Sequence, residues 1–275
     1  VTLLVTSLAS GSSANALLLR TGRAALLLDC GLPLRRLEPL LRYAGVCPEE
    51  IRGVVLTHEH GDHAFGAGAL ARRYGVPVVC NSETRAALDS NLKRAAVEEL
   101  PHGQRASLGP FELCSFAVSH DAAAPVGYTV AACGATVGLA TDLGSWTAPI
   151  VEHLRRADLL VVEANHQREK LLDSAYPWSV CQRIVGPRGH LDNTQAGDLL
   201  AAIGADGRWR DVRLAHLSEH TNRPAVARKV VRERLAEAGI TCLRLGVLPR
   251  YATPTRKGMP FWSSDSLFRQ QELFR

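Results

Sequence analysis

The sequence predicts an α/β fold of two β-sheets packed face to face, with helices on the outer faces. Short apolar runs bounded by turn residues recur as strands along the chain. Helical apolar spacing appears in both halves, and a β-rich middle separates two regions where strand and helix patterns alternate. The chain has 275 residues, 46% of them hydrophobic, enough to bury the core of one large domain.

Residues 1–8, 15–20 and 24–29 read as strands. Residues 34–44 carry apolar side chains at helical spacing and stop at Gly45, a residue suited to the position after a helix. Gly53-Val54-Val55-Leu56 is a short buried strand, residues 64–74 a helix of small residues, and 76–80 a further strand. The middle gives strands at 111–119, 126–132 and 135–141. Alternation then returns: strand 159–163, helices near 177–185 and 194–202, strand 212–215, helix 224–238 and strand 241–245. The regular pattern stops near Pro249. Residues 1–248 are therefore read as one catalytic domain and 249–275 as a basic, aromatic tail.

No run of 18 uncharged apolar residues occurs, and nothing at the start looks like a signal peptide. The seven cysteines are scattered singly, with no Cys-x-x-Cys pair, and most lie in apolar runs. Buried free thiols in a reducing cytoplasm account for them better than disulfides or a thiolate metal site, so a cytoplasmic location without membrane contact is expected. Net charge is +5 but uneven: from Arg223 to Arg275 there are 11 Lys+Arg against 4 Asp+Glu. A basic end on a near-neutral body points to a polyanionic partner, or to a solvated helix face and tail.

The run Thr57-His58-Glu59-His60-Gly61-Asp62-His63 follows the strand at 53–56, so its ligands fall on the loop at a strand's carboxyl end. Imidazoles with a carboxylate suit zinc, manganese or iron. Ligands beyond those of one ion usually mean two metals about 3.5–4 Å apart, and such pairs usually hydrolyse esters or phosphodiesters. Asp29, His120, Asp142, Glu163 and His216 each stand at the end of another apolar run. One such residue means little, but five after the same kind of run form a pattern.

In this order, Asp29, His58-x-His60-x-Asp62-His63, His120, Asp142 and His216 resemble the five motifs of the metallo-β-lactamase-fold hydrolases. The resemblance covers roughly residues 1–248 and implies an αββα sandwich with a dinuclear site at one edge. It implies that His58, His60 and His120 bind a first metal, that Asp62, His63 and His216 bind a second, and that Asp142 bridges both. Asp29 and Thr57 would stand behind these ligands and orient them rather than bind metal.

Glu163-Ala164-Asn165-His166, Gly189-His190-Leu191-Asp192-Asn193 and His216-Leu217-Ser218 are similar to the nuclease branch of that superfamily. The similarity implies that Glu163 holds His190 and that His190 protonates the leaving alkoxide, while a metal-bridging hydroxide attacks phosphorus. Asp62, Glu163 and His190 are thus the candidate catalytic residues; for His190, a local cap on the helix near Thr194 is the alternative. Ser7–Ser13, Ser119–Tyr128, Thr141–Gly144 and Ala215–Glu219 look like the WalJ/YycJ group of exonucleases. That resemblance implies a manganese-favouring nuclease of DNA processing and repair, with zinc as the alternative metal. Ala14 departs from it, standing where glycine is common. Ser12 and Ser13, in a glycine-serine loop that is a hairpin turn or a phosphate cradle, are candidate substrate contacts with His166, Asn193 and Ser218.

The tail ends in Gln270-Gln271-Glu272-Leu273-Phe274, which resembles the peptide by which bacterial repair and replication proteins bind the sliding clamp. Gln270, Leu273 and Phe274 would make that contact; packing of the tail on the body is the alternative. The function expected is a metal-dependent phosphodiesterase, a 5′-to-3′ DNA exonuclease acting in repair or processing. The alternative is a hydrolase of small phosphodiesters or thioesters on the same dinuclear scaffold.

Overall fold

The computed structural model describes residues 1–252 and 261–266. Fourteen strands are found among them: β1 (Leu3–Ala9), β2 (Ala16–Thr21), β3 (Ala24–Leu28), β4 (Ile51–Val55), β5 (Val78–Cys80), β6 (Val97–Glu99), β7 (Arg105–Leu108), β8 (Phe111–Ala117), β9 (Val126–Ala132), β10 (Ala135–Ala140), β11 (Leu159–Glu163), β12 (Arg210–Ala215), β13 (Leu243–Val247) and β14 (Trp262–Ser263). They make two seven-stranded sheets, in the orders β14-β1-β2-β3-β4-β5-β6 and β13-β12-β11-β10-β9-β8-β7.

Strand periodicity divides the core into three layers. Leu17, Leu19, Leu26 and Leu28 point between the sheets and meet Val130, Val137, Leu159 and Val161 of the second sheet. Their neighbours Leu18 and Leu27 face the other way, onto Leu37 and Leu41 of the helix Leu34–Tyr43 and Leu70 of the helix Ala67–Tyr74. On the outer face of the second sheet, Leu160, Val162 and Val212 pack on Leu199 and Leu200 of the helix Asn193–Gly204 and Val231 of the helix Pro224–Glu237. The two apolar faces of each central strand explain why its sequence is a nearly unbroken hydrophobic run. The architecture is the αββα sandwich expected.

Strands β3 to β6 run parallel, as do β10 to β13. In register, Leu28 pairs with Val55, Ala140 with Val162, and Glu163 with Ala215. Strand ends carrying the polar motifs are therefore brought to one edge.

The elements not foreseen are short. Helices Ser82–Ala87, Asp89–Leu92, Ala148–Leu154 and Arg168–Leu172, the single turn Pro48–Glu50 and strands β6 and β7 span three to seven residues, too few to show a period. The expected helix at 64–74 is two, Gly61–Ala64 and Ala67–Tyr74, broken where Gly66 approaches the Leu32 carbonyl. Beyond Pro249, Tyr251 bridges to Ala9, and β14 pairs antiparallel with β1. Trp262 is 3% exposed within the inter-sheet core, and its Nε1 donates to Asp211 Oδ2 at 2.9 Å. No helix among the described residues is long and apolar enough to cross a membrane.

Candidate metal centre

Three of the polar motifs leave their strands through a constrained turn. Asp29, Asp142 and His216 have φ of 59°, 55° and 54°, a left-handed conformation uncommon for residues other than glycine. The surroundings enforce it: Asp29 N donates to Val55 O at 2.9 Å and His216 N to Ser10 Oγ at 3.0 Å. The turn Gly61–Ala64, which carries Asp62 and His63, is held by Asn15 N on Asp62 O (2.7 Å) and Cys30 N on His63 O (2.6 Å). Gly31 makes this approach possible, since a Cβ there would lie 1.8 Å from the Asp62 carbonyl.

Six imidazoles form a closed ring. Successive centroids are 4.6 Å apart for His60–His58, 4.2 Å for His58–His63 and 5.6 Å for His63–His216. The ring continues through His216–His190 (5.3 Å) and His190–His120 (4.9 Å) and closes at His120–His60 (5.2 Å). Asp142 stands among them, its carboxylate 3.0 Å from His63 Nε2, 3.5 Å from His120 Nε2 and 3.6 Å from His216 Nε2. Ligand atoms converge in His58/His60/His120 and in Asp62/His63/His216, each set within 4.8 Å.

The partners behind the rings select one nitrogen. His63 Nδ1 donates to Asp29 Oδ2 at 2.8 Å, His216 Nδ1 to Glu163 Oε1 at 2.8 Å, and His120 Nδ1 to Gly189 O at 2.9 Å. His58 Nδ1 lies 3.0 Å from Thr57 Oγ1, which itself donates to Asp29. In all four rings Nδ1 is engaged, so Nε2 is the nitrogen that each turns to the centre and would offer to a metal. His58 Nε2 and Asp142 Oδ2 are buried without a hydrogen-bond partner, an expense explained if a cation completes them. Burial would raise the Asp142 carboxyl, but the His216 and His63 imidazoles outweigh it and hold it well below the carboxylate range. Burial, aided by His63, keeps His58 well below the usual histidine range and so neutral. This nitrogen and oxygen donor set suits a divalent metal.

Glu163, at the end of β11, is fully buried and saturated. Oε1 accepts from His190 Nδ1 (2.9 Å) and His216 Nδ1 (2.8 Å), and Oε2 from the backbone of Leu143 and Leu191, both at 3.0 Å. Burial would raise it, but the His190 and His216 imidazoles hold it down to about 2. Burial disfavours a charged His190, yet the charge and hydrogen bond of Glu163 raise it above the ordinary value. The His190 turn depends on Gly144 and Gly189, which meet backbone to backbone: a Cβ on Gly144 would lie 2.4 Å from Gly189 N.

A cleft of about 220 Å³ opens on the ring, lined by Ser12, His60, Asp62, His120, Asp142, His190 and His216 among others. Ser12 is thus at the cleft; Ser13, His166, Asn193 and Ser218, read from the sequence as substrate contacts, are not among its walls. Ser13 is exposed outside it. His166 is 0% exposed. Asn193 bonds Asn222, and Ser218 Oγ accepts from Thr221, so both tie buried loops together. Sequence proximity to a motif did not distinguish the wall of the cleft from its support. Asp192 caps the helix Asn193–Gly204, accepting from Gln195 N. Gln270, Leu273 and Phe274 lie outside the described residues.

Four contributors escaped the sequence reading. Asn15 Nδ2 is 2.9 Å from His63 Nε2 and 3.3 Å from Asp62 Oδ2. Asn165 Nδ2 donates to His216 O at 2.9 Å. Asp121 and Arg183 line the cleft. Asp121 directly follows His120, a signal available in the chain; Asn15 carries none.

Residues 25–209 match the family model of the beta-lactamase superfamily domain. The chain is 33% identical over 239 residues to exodeoxyribonuclease WalJ of Streptococcus pneumoniae serotype 2 (strain D39), covering 85% of this chain and 88% of that protein. It is 35% identical to exodeoxyribonuclease YycJ of Bacillus anthracis, over 84% of this chain and 89% of that protein. Among solved structures, the metallo-beta-lactamase fold protein YhfI of Bacillus subtilis superposes with a TM-score of 0.69 at 19% identity, covering 96% of this chain and 99% of that one. Human tRNase Z, short form, gives 0.63 at 16%, over 92% and 98%, a likeness of fold alone. With its own imidazole ring and central aspartate in place, the chain belongs to the beta-lactamase superfamily and, within it, to the WalJ/YycJ family.

Proposed function

We propose that the chain is a DNA exonuclease that cuts phosphodiester bonds in the 5′-to-3′ direction during repair or processing. The observation that carries it is Asp142, placed between two ligand sets and beside the Glu163–His190 pair. His58, His60 and His120 would hold one divalent cation, and Asp62, His63 and His216 a second, with Asp142 shared; manganese is favoured and zinc is the alternative. Bound cations would supply an activated water and neutralise charge at phosphorus. The residues of the chain do the rest. Asp29, Thr57, Glu163 and the Gly189 carbonyl fix the imidazoles, and His190 carries a proton at Nε2 for the departing oxygen while Nδ1 stays on Glu163. The relatives' printed activity, exodeoxyribonuclease, supports DNA as the substrate.

The test is digestion of end-labelled DNA with Mn²⁺, Zn²⁺ or chelator. Products shortening from the 5′ end with Mn²⁺, and none with chelator, are expected. Intact DNA beside a hydrolysed chromogenic phosphodiester would favour the small-substrate reading instead.

A further inference from the structure

Two arginines flank the metal centre without being needed to build it. Arg183, on the helix Trp178–Val185, lines the cleft. Its guanidinium stands 3.7 Å from Asp121, beyond a hydrogen bond, and is readily exchanged for another anion. Arg188 lies at a second groove, of about 400 Å³, which shares His120 with the cleft. Its Nε donates to His120 O at 3.1 Å and its Nη2 reaches Ala122 O at 3.5 Å, so the side chain is anchored beside His120 on the groove side. Nη1 has no partner among the described residues. Val118, Pro125 and Ile150 give the groove apolar walls.

We infer that Arg183 and Arg188 grip successive phosphates of one nucleic-acid strand, and that the groove beyond His120 takes the nucleoside next to the scissile bond. The inference rests on the nuclease reading above. An arginine fork matches phosphate oxygens, and an apolar floor accepts the face of any base without reading sequence. A strand leaving the cleft over His120 meets Arg188 and then the groove. A small diester fills the cleft alone and gains nothing from the groove. The site is thereby selective for polynucleotides over small esters.

The test compares a labelled single-stranded oligonucleotide with bis(p-nitrophenyl) phosphate, both with Mn²⁺, in wild type, Arg183→Ala, Arg188→Ala and Ala123→Trp. Ala123 is exposed and lines the groove, so the indole fills it without entering the core. The ratio of kcat/KM on the strand to that on the diester should fall about tenfold or more in Arg188→Ala and Ala123→Trp, through KM, whereas Arg183→Ala, in the cleft that both substrates enter, is read by its salt slope. Each arginine variant should also lower the salt slope of strand binding by about 0.7, one phosphate contact in a single strand. Arg188→Lys should restore part of the loss. Unchanged ratios and slopes in variants that melt like wild type, while wild type digests DNA, overturn the inference alone. A wild type that hydrolyses the diester but leaves DNA intact overturns the nuclease reading as well.

Discussion

Glu163 accepts hydrogen bonds from His190 and His216 on the same carboxylate oxygen, at 2.9 and 2.8 Å. One buried anion thus orients a candidate metal ligand and the proposed proton donor together. Glu163→Gln keeps the shape but loses the charge that holds both rings. Metal affinity should fall roughly 10–100-fold, the usual cost of removing a group behind a ligand, as read by metal titration. His190→Ala should instead slow cleavage roughly 10²–10⁴-fold with metal content unchanged. Full activity in His190→Ala would remove its role as acid.

The pH profile separates the same pair. His190 is raised above its ordinary value by Glu163, so its proton persists above pH 6.5 and is lost as pH rises through the raised value. The alkaline limb of kcat on DNA should therefore lie above 6.5 in wild type. It should move to lower pH in Glu163→Gln. A limb that stays in place assigns it to another group.

His166 is fully enclosed, with both ring nitrogens lacking partners, and burial holds it down to about 4. The folded state keeps it neutral, while the unfolded chain takes up a proton near pH 6.5. Stability should be undiminished above 6.5 and decline as pH falls from there toward 4, by about 3 kcal/mol for this residue. His166→Gln should show a correspondingly smaller loss in urea unfolding between pH 7 and 4.5. Equal losses would dismiss the residue as an acid-sensitive point.

Trp262 joins a late segment to the inter-sheet core and bonds Asp211, which also holds Arg244 at 2.7 Å. Trp262→Ala should cost about 3–5 kcal/mol, the range for a large aromatic removed from a core. Denaturant unfolding would measure it; a change within error would mean the segment is not part of the cooperative unit.

Asp142→Ala should abolish cleavage and leave fewer than two metal ions per chain by elemental analysis. Chelation of the wild type should lower its melting temperature, because the ions bind the folded state alone. A melting curve indifferent to chelator would contradict a centre loaded in solution.

Much of this was legible in the chain. Alternation and unbroken apolar runs revealed sandwich strands because burial on both faces leaves a local mark on every residue. The run from His58 to His63 is local too: a single turn presents it, so its spacing alone indicated a metal. Asp29, Asp142 and His216 could be collected because each ends a strand that the sequence already marked. What lies between elements left no such mark. Asn15 reaches His63 across 48 positions, Glu163 reaches His216 across 53, and Arg188 reaches the His120 carbonyl across 68. Those contacts depend on the parallel register of β10, β11 and β12 and on the close approach of glycine turns, which only the folded chain creates. His166 makes the same point in reverse: beside a motif in sequence, it is sealed from the cleft in space. The chain by itself determined the layers and the kinds of candidate ligand; the tertiary structure decided which nitrogen each candidate turns to the centre and what lines the approach, because hydrogen bonding and burial are properties of neighbours distant in sequence.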